Sequence, residues 1–243
     1  MFHDVLLWHL CALGAALFVG AAVQGVAGLG IGLLTAPVAG LLEPSLLPGV
    51  PLWFAAVYPL LTLGGETQHI DWRGLAWAIP WRIPGTAVGV AVVALASDRS
   101  IGVVVGVMVL VSVMLSVRTV RVRVSRASLS IAGFVSGITG TATSIGGPPL
   151  ALLYQHRSGP ELRATMGVYF VFGASLSLAG LALNDDLHVR DLRVAVALAP
   201  VLVAGFVLSR VLRAKVASGR VRAAMLTVCA VSSVALILRS LMS

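Results

Sequence analysis

One ionisable residue in this chain lies well inside an apolar stretch: Arg82, in the run Gly74–Ala96. Counted from Arg73 at 1.5 Å per helical residue, it stands roughly 13 Å along a helix, near the middle of a ~30 Å hydrocarbon layer. An arginine at that depth costs at least about 2.5 kcal/mol on insertion scales, and an intramembrane charge marks a functional site by default. Its chemistry suits a small anion. Snorkelling to the interface, or pairing with a backbone carbonyl, is the residue's other use. Its neighbours Trp77, Pro80, Trp81, Pro84 and Gly85 are aromatic or rigid.

Two glycine-rich breaks offer complementary chemistry, one over Gln24–Gly32 and one over Gly137–Pro149. Where a helix unwinds and restarts at mid-membrane, the new N-terminus presents free N–H groups and the positive end of its dipole. Such an end suits an anion, and glycine lets a ligand approach the backbone. The first restart follows Gly28, Gly30 and Gly32, with Gln24 and Gly25 before it and Pro37 beyond. The second follows Gly146-Gly147, with Pro148 placed as the first helical residue and Pro149 next. It also carries Gly137, Gly140 and the hydroxyls of Thr139, Thr141, Thr143 and Ser144. The expected binding set is therefore Arg82, Gln24, Gly25, Gly28, Gly30, Gly32, Gly137, Gly140, Thr141, Thr143, Ser144, Gly146 and Gly147. Pro37, Pro148 and Pro149 serve as structural helix breaks. Gly85, Gly89, Gly102 and Gly106 read instead as close helix packing.

Other candidates are weaker. His69 with Asp71, and His188 with Asp191, fit helix-starting acids beside interfacial histidines. Glu43 and Glu66 could carry protons only if they reached a cavity. Ser144 with His156 would be the pair for an intramembrane hydrolase, but the serine is not in G-x-S-x-G and His156 lies beyond the apolar segment. Cys11 and Cys229 sit in apolar runs without ligand-spaced partners. There is no P-loop, dinucleotide fingerprint or metal-ligand cluster, so no cofactor is expected.

The elements that must hold these residues follow from composition. Of 243 residues, 58% are hydrophobic and 11% charged, against roughly 25% charged in a soluble domain. A polytopic, all-α membrane protein is the class left. Candidate spans are Gly74–Ala96, Ile101–Val117, Ala164–Leu183, Val194–Leu212 and Ala223–Leu238, with a shorter run at Pro51–Gly64 and the broken stretches Val5–Leu42 and Ala127–Tyr154. That makes about eight hydrophobic segments. Broken backbone at membrane depth is tolerated only where it is buried or lines a cavity. The Met1–Asp4 start lacks a positive n-region, so the first run is expected to be retained.

The chain reads as a duplication. A shift of 112 aligns Gly25 with Gly137, Gly28 with Gly140 and Pro37 with Pro149; a shift of 120 aligns Asp71 with Asp191, Pro80 with Pro200 and Gly85 with Gly205. The halves are 1–118 and 119–243, within a single membrane domain. Eight ordinary crossings would split the loop arginines and lysine evenly, against the positive-inside rule. Re-entrant hairpins gather Arg73, Arg118, Arg121, Arg123, Arg126, Arg157, Arg163, Arg210, Arg213, Lys215, Arg220 and Arg222 on one side. Arg99, Arg190, Arg193 and Arg239 then lie opposite with most of the acids. The expected architecture is two inverted repeats, each a glycine-broken hairpin plus three transmembrane helices, with both termini outside. Val5–Val23 is also long enough to cross as an ordinary helix. On this reading the net charge of +8 orients the protein and signals no nucleic-acid partner.

At the breaks the sequence resembles the sulfite exporter TauE/SafE family, also called the 4-toluene sulfonate uptake permease family. Its duplicated G-x-x-G-x-G-G-G…P segment is matched by Gly25, Gly28, Gly30, Gly32 and Pro37, with Ile31 for one glycine. The second copy, Gly137 to Pro149, departs more, with Ala142, Thr143 and Ser144 in place of central glycines. The resemblance implies a multi-pass transporter of the bacterial cytoplasmic membrane for small anions, sulfite, sulfonates or other organosulfur compounds. Alternating access around a midplane site follows from the repeat. The partners expected are a small anionic substrate and the lipid bilayer, and a homo-oligomer is compatible. A passive anion channel is the alternative function, and an intramembrane hydrolase a lesser one.

Overall fold

The computed structural model describes residues 7–64, 67–96, 98–117, 122–215 and 218–242. They form ten α-helices, with no strand among the described residues. The first five are α1 (Leu7–Ala27), α2 (Ile31–Leu42), α3 (Gly49–Leu63), α4 (Trp72–Leu95) and α5 (Asp98–Val117). The next five keep the order: α6 (Arg126–Thr143), α7 (Pro148–Tyr154), α8 (Gly159–Leu183), α9 (Val189–Lys215) and α10 (Ser218–Met242). Helices α1, α4, α8 and α9 contain apolar stretches long enough to cross a bilayer. Helix is what such sequence must form, because hydrocarbon offers no water to satisfy a bare backbone.

Helix α4 shows how the faces sort. It buries Gly74, Leu75, Ala78, Arg82, Gly85, Thr86, Gly89 and Val93, a stripe at three- and four-residue spacing. It exposes Trp72, Trp77, Trp81, Ile83 and Leu95. Asp71 caps its start, accepting from the Gly74 N–H at 2.9 Å. Ser125 and Ser128 form a capping box at the start of α6.

The buried stripe of α4 lies parallel against α6, and α1 lies in the same way against α9. Glycine permits both contacts: a methyl group on Gly85 would sit 2.2 Å from the Phe134 carbonyl oxygen, and one on Gly205 2.7 Å from that of Phe18. Helix α3 packs on α8, and α5 on α10. Gly89, Gly102 and Gly106 are likewise packing positions, against Thr141, Ser240 and Ile237.

Two sets of contacts mark the ends of the bundle. At one end Tyr154 donates to Asp71 at 2.7 Å, the Asp71 N–H donates to Thr165 at 3.0 Å, and Arg126 stacks over Trp77 at 5.0 Å. At the other end Arg190 meets Glu43 at 3.7 Å and Ser45 at 3.0 Å, while Asp191 lies against Gly49. Thus α2 returns to the end where α9 begins, and α7 to the end where α4 and α8 begin. Of the charges used to assign sides, Asp4, Glu66, Arg118 and Arg121 lie outside the described residues, as do the side chains of Asp98, Arg99, Lys215, Arg220 and Arg222.

One sequence expectation changes here, and an open one is narrowed. The first broken segment joins a helix long enough to cross with a short return to the end where it began. Helix α1 has 21 residues, about 31 Å, and only the return helix α2, with 12, is short. The register of the recurrence also differs. Gly28 and Ser144 are the matching left-handed residues (φ 80° and 61°). Gly30 packs on the Gly20 carbonyl as Gly146 packs on that of Ser136. These pairs are 116 positions apart, so the matches at 112 are one helical turn out of step.

Candidate functional site

Each break turns on one left-handed residue. Glycine takes that conformation without strain at position 28. Ser144 does so with its Oγ donating to the Pro48 carbonyl at 2.7 Å. The chain then folds back along its own helix, so that Gly30 lies beside Gly20 and Gln24, and Gly146 beside Ser136 and Gly140. The two restarts meet there. A methyl group on Gly32 would lie 2.4 Å from the Ser144 carbonyl oxygen, and one on Gly147 2.4 Å from Leu29.

Between the restarts lies a cavity of about 20 Å³, room for about one water. Gln24, Gly30, Gly32 and Leu33 form one wall, and Ser144, Gly146, Gly147 and Pro148 the other, closed by Leu29, Ile145, Ala55 and Phe170. Gln24 is buried, and its Oε1 accepts from the Ile31 N–H at 3.0 Å, satisfying one orphan donor of α2. Gly32 and Leu33 belong to the same first turn, where N–H groups have no partner four residues back. Helix α7 offers fewer donors, because Pro148 and Pro149 have none.

Arg82 is 2% exposed and stands behind Gly146, off the cavity wall. Its Nη1 donates to Ser136 Oγ at 3.0 Å, and that hydroxyl donates to the Gly146 carbonyl. The guanidinium lies over the Tyr169 ring at 4.5 Å. Gly173 leaves the space: a methyl group there would sit 2.0 Å from Cζ and Nε. Nε itself is buried without a hydrogen-bond partner.

The remaining expected residues divide. Gly28 lines a second cavity of about 10 Å³, with Gln24, Tyr58, Thr62, Arg163 and Arg213. Gly25 packs on Tyr58 and Ser209, and its carbonyl accepts from Arg213 Nε at 2.5 Å. Gly137 packs on the backbone of Arg82 and Thr86, and Gly140 against Arg82 Nη2. Thr141 Oγ1 lies 2.8 Å from Ser177 Oγ, and Thr143 donates to Thr139 O at 2.7 Å. Pro37 lies buried within α2. Thus Gly25, Gly137, Gly140, Thr141 and Thr143 support the breaks and line neither cavity.

Sequence reasoning passed over Ser136, Tyr169, Phe170 and Gly173, and it used Arg163 and Arg213 only as loop charges. Tyr169, Gly173 and Ser177 recur every four residues on α8, a small-and-polar stripe in an apolar helix that would have pointed to Arg82's pocket. Ser144 and His156 are not brought together: the hydroxyl of Ser144 is held by a backbone carbonyl, and His156 is exposed.

The family model for the sulfite exporter TauE/SafE matches residues 12–236, essentially the whole chain. The chain belongs to the TauE/SafE family. No curated protein and no solved structure matches it. With TauE/SafE membership and four membrane-length apolar helices, it is an integral membrane protein of a transporter family. The paired breaks of this TauE/SafE chain line the central cavity from two sides.

Proposed function

We propose that this TauE/SafE protein is a secondary transporter of small anions, sulfite or a sulfonate above others, with its site between the two restarts. The observation that carries the reading is the facing of the two glycine breaks across one small cavity, with a buried arginine directly behind Gly146. The first turn of α2 supplies N–H donors and its dipole. Arg82 supplies a desolvated positive field and fixes Gly146 through Ser136. The second break supplies close backbone approach.

The halves act as an inverted repeat in the bacterial cytoplasmic membrane, crossing it several times. The contact ends are compatible with that assignment: Arg73, Arg126, Arg157 and Arg163 lie with Asp71 and Glu161 at the end where α4 and α8 begin, and Glu43 and Asp191 lie with Arg190 and Arg193 at the opposite one. The arginine-rich end is cytoplasmic by the positive-inside rule. A cavity the size of one water cannot hold a sulfonate, so loading requires the restarts to separate. Alternating access supplies that movement as one half rocks against the other.

Gln24→Glu tests the site at constant shape. The carboxylate still accepts from the Ile31 N–H, but it places negative charge in the cavity. Uptake of labelled sulfite into proteoliposomes at pH 8 should fall at least tenfold in protein that remains monodisperse. Uptake equal to wild type would remove Gln24 and this cavity from the pathway.

A further inference from the structure

Two aspartates stand at matching places in the recurrence, Asp71 just before α4 and Asp191 in the first turn of α9. Their surroundings differ. Both oxygens of Asp71 are used: Oδ1 accepts from the Gly74 N–H at 2.9 Å and Oδ2 from the Tyr154 hydroxyl at 2.7 Å. Asp191 is 3% exposed, and its Oδ2 accepts from the His188 N–H at 3.2 Å. Its Oδ1 is buried with no hydrogen-bond partner. An ionised carboxyl in that position is costly, and taking up a proton removes the charge. Of the charges around it, His188 and Arg190 belong to the start of α9 itself, and Arg190 reaches Glu43 at 3.7 Å and Ser45 at 3.0 Å. Helix α1, packed along α9, brings His9, while α3 brings no acid, lysine, arginine or histidine.

We infer that Asp191 is a proton-binding site, its carboxyl taking a proton from water at the end opposite the arginine-rich one and passing the change of charge to the second break. The proton forms an O–H bond on the carboxyl and leaves again to water, and no other bond is altered. Its use in transport rests on the proposed anion transport, whereas the proton site is a property of this carboxyl alone. The route to the break is short. The carboxyl lies against Gly49, the first residue of α3, where a methyl group would sit 2.3 Å from Oδ2. An ionised carboxyl is attracted to that helix start, and a neutral one is not. Pro48 precedes Gly49, and its carbonyl accepts from Ser144 Oγ at 2.7 Å. The charge on Asp191 thus governs how firmly the start of α3 is held, and with it the support of the left-handed turn at Ser144. Asp71, engaged by Tyr154 and Gly74, has no such freedom.

Infrared spectroscopy reads the proton without relying on transport. The detergent-solubilised chain is titrated from about pH 5 to about pH 8, and the carbonyl stretch of a protonated carboxylic acid is followed. A band that fades across that range is expected in the parent protein. It should be absent in Asp191→Asn, which keeps an oxygen to accept from the His188 N–H, and present in Asp71→Asn. Should Asp191→Asn not fold, carbon-13 in the aspartate carboxyls of the parent must shift the band, and an unshifted band overturns the site. No titrating band, one that survives in Asp191→Asn, or one lost in Asp71→Asn overturns it equally. Uptake of methanesulfonate, an anion whose own charge is constant over this range, separates the two ideas. Its rate should change roughly threefold with pH in the parent and stay flat in Asp191→Asn. A pH profile untouched by that substitution would overturn the link to the second break. A titrating Asp191 without any anion uptake would sink the transport reading alone, and uptake without the titrating band would sink the proton site alone.

Discussion

The first break turns on a glycine and the second on a serine, yet the backbone does the same thing at both. In each, a long helix ends in a left-handed residue, and the chain doubles back to lie beside a small residue eight positions before that turn, Gly20 or Ser136. What differs is how the turn is held and what the restart offers. At the first, Gln24 caps the returning helix, and its other early N–H groups border the cavity. At the second, two prolines remove donors, and Arg82 grips Gly146 from behind through Ser136. The two breaks share a geometry while their chemistry differs: one break presents donors, the other a charge held out of contact.

That division can be broken. The largest effect is expected at Gly173→Ala. Its new methyl group would occupy the place of the Arg82 guanidinium, and overpacking of that kind costs about 3 kcal/mol. Thermal unfolding in detergent should show a clearly lowered midpoint, with sulfite uptake largely lost. An unchanged midpoint would mean that the second break does not depend on the arginine's position.

Gly28→Ala comes next. A left-handed alanine costs roughly 1–2 kcal/mol, so a smaller loss of thermal stability is expected. The matching change at the second break, Ser144→Gly, should come out within about 1 kcal/mol of neutral. It removes a hydrogen bond worth about 1 kcal/mol while relieving a similar strain. Equal penalties at the two positions would contradict the different holding of the turns. The smallest effect is expected far from either break. Glu43→Gln removes a half-exposed pair with Arg190 and should cost no more than about 0.5 kcal/mol. Its thermal midpoint should stay close to that of the parent.

Sequence made the breaks visible because glycine-rich backbone survives at membrane depth only where protein buries it or a cavity adjoins it. It made Arg82 visible because charge is rare there. The 112-residue register misled for a physical reason. Gly25 and Gly137 match as letters, but both serve close packing, Gly25 on Ser209 and Tyr58, Gly137 on the backbone of α4. In a glycine-rich helix a shift of one turn preserves such matches. The left-handed turn at Ser144 carries no letter signal, since a serine reaches that conformation only with outside support such as the Pro48 carbonyl. Depth along a helix was legible for Arg82, whereas the direction of its side chain, toward Ser136 and Tyr169 and away from the cavity, was set by helices distant in sequence. Arg163 and Arg213, which line the second cavity, were hidden among the many loop arginines.

Whether a small anion sits between the two restarts can be seen in crystals grown with bromomethanesulfonate, through the anomalous signal of bromine. A bromine peak is expected within van der Waals reach of Gly32 and Gly147, with the sulfonate oxygens toward the first turn of α2, and it should vanish in Gln24→Glu. Bromine found only outside the region enclosed by the two breaks, at concentrations that saturate uptake, would contradict a central anion site.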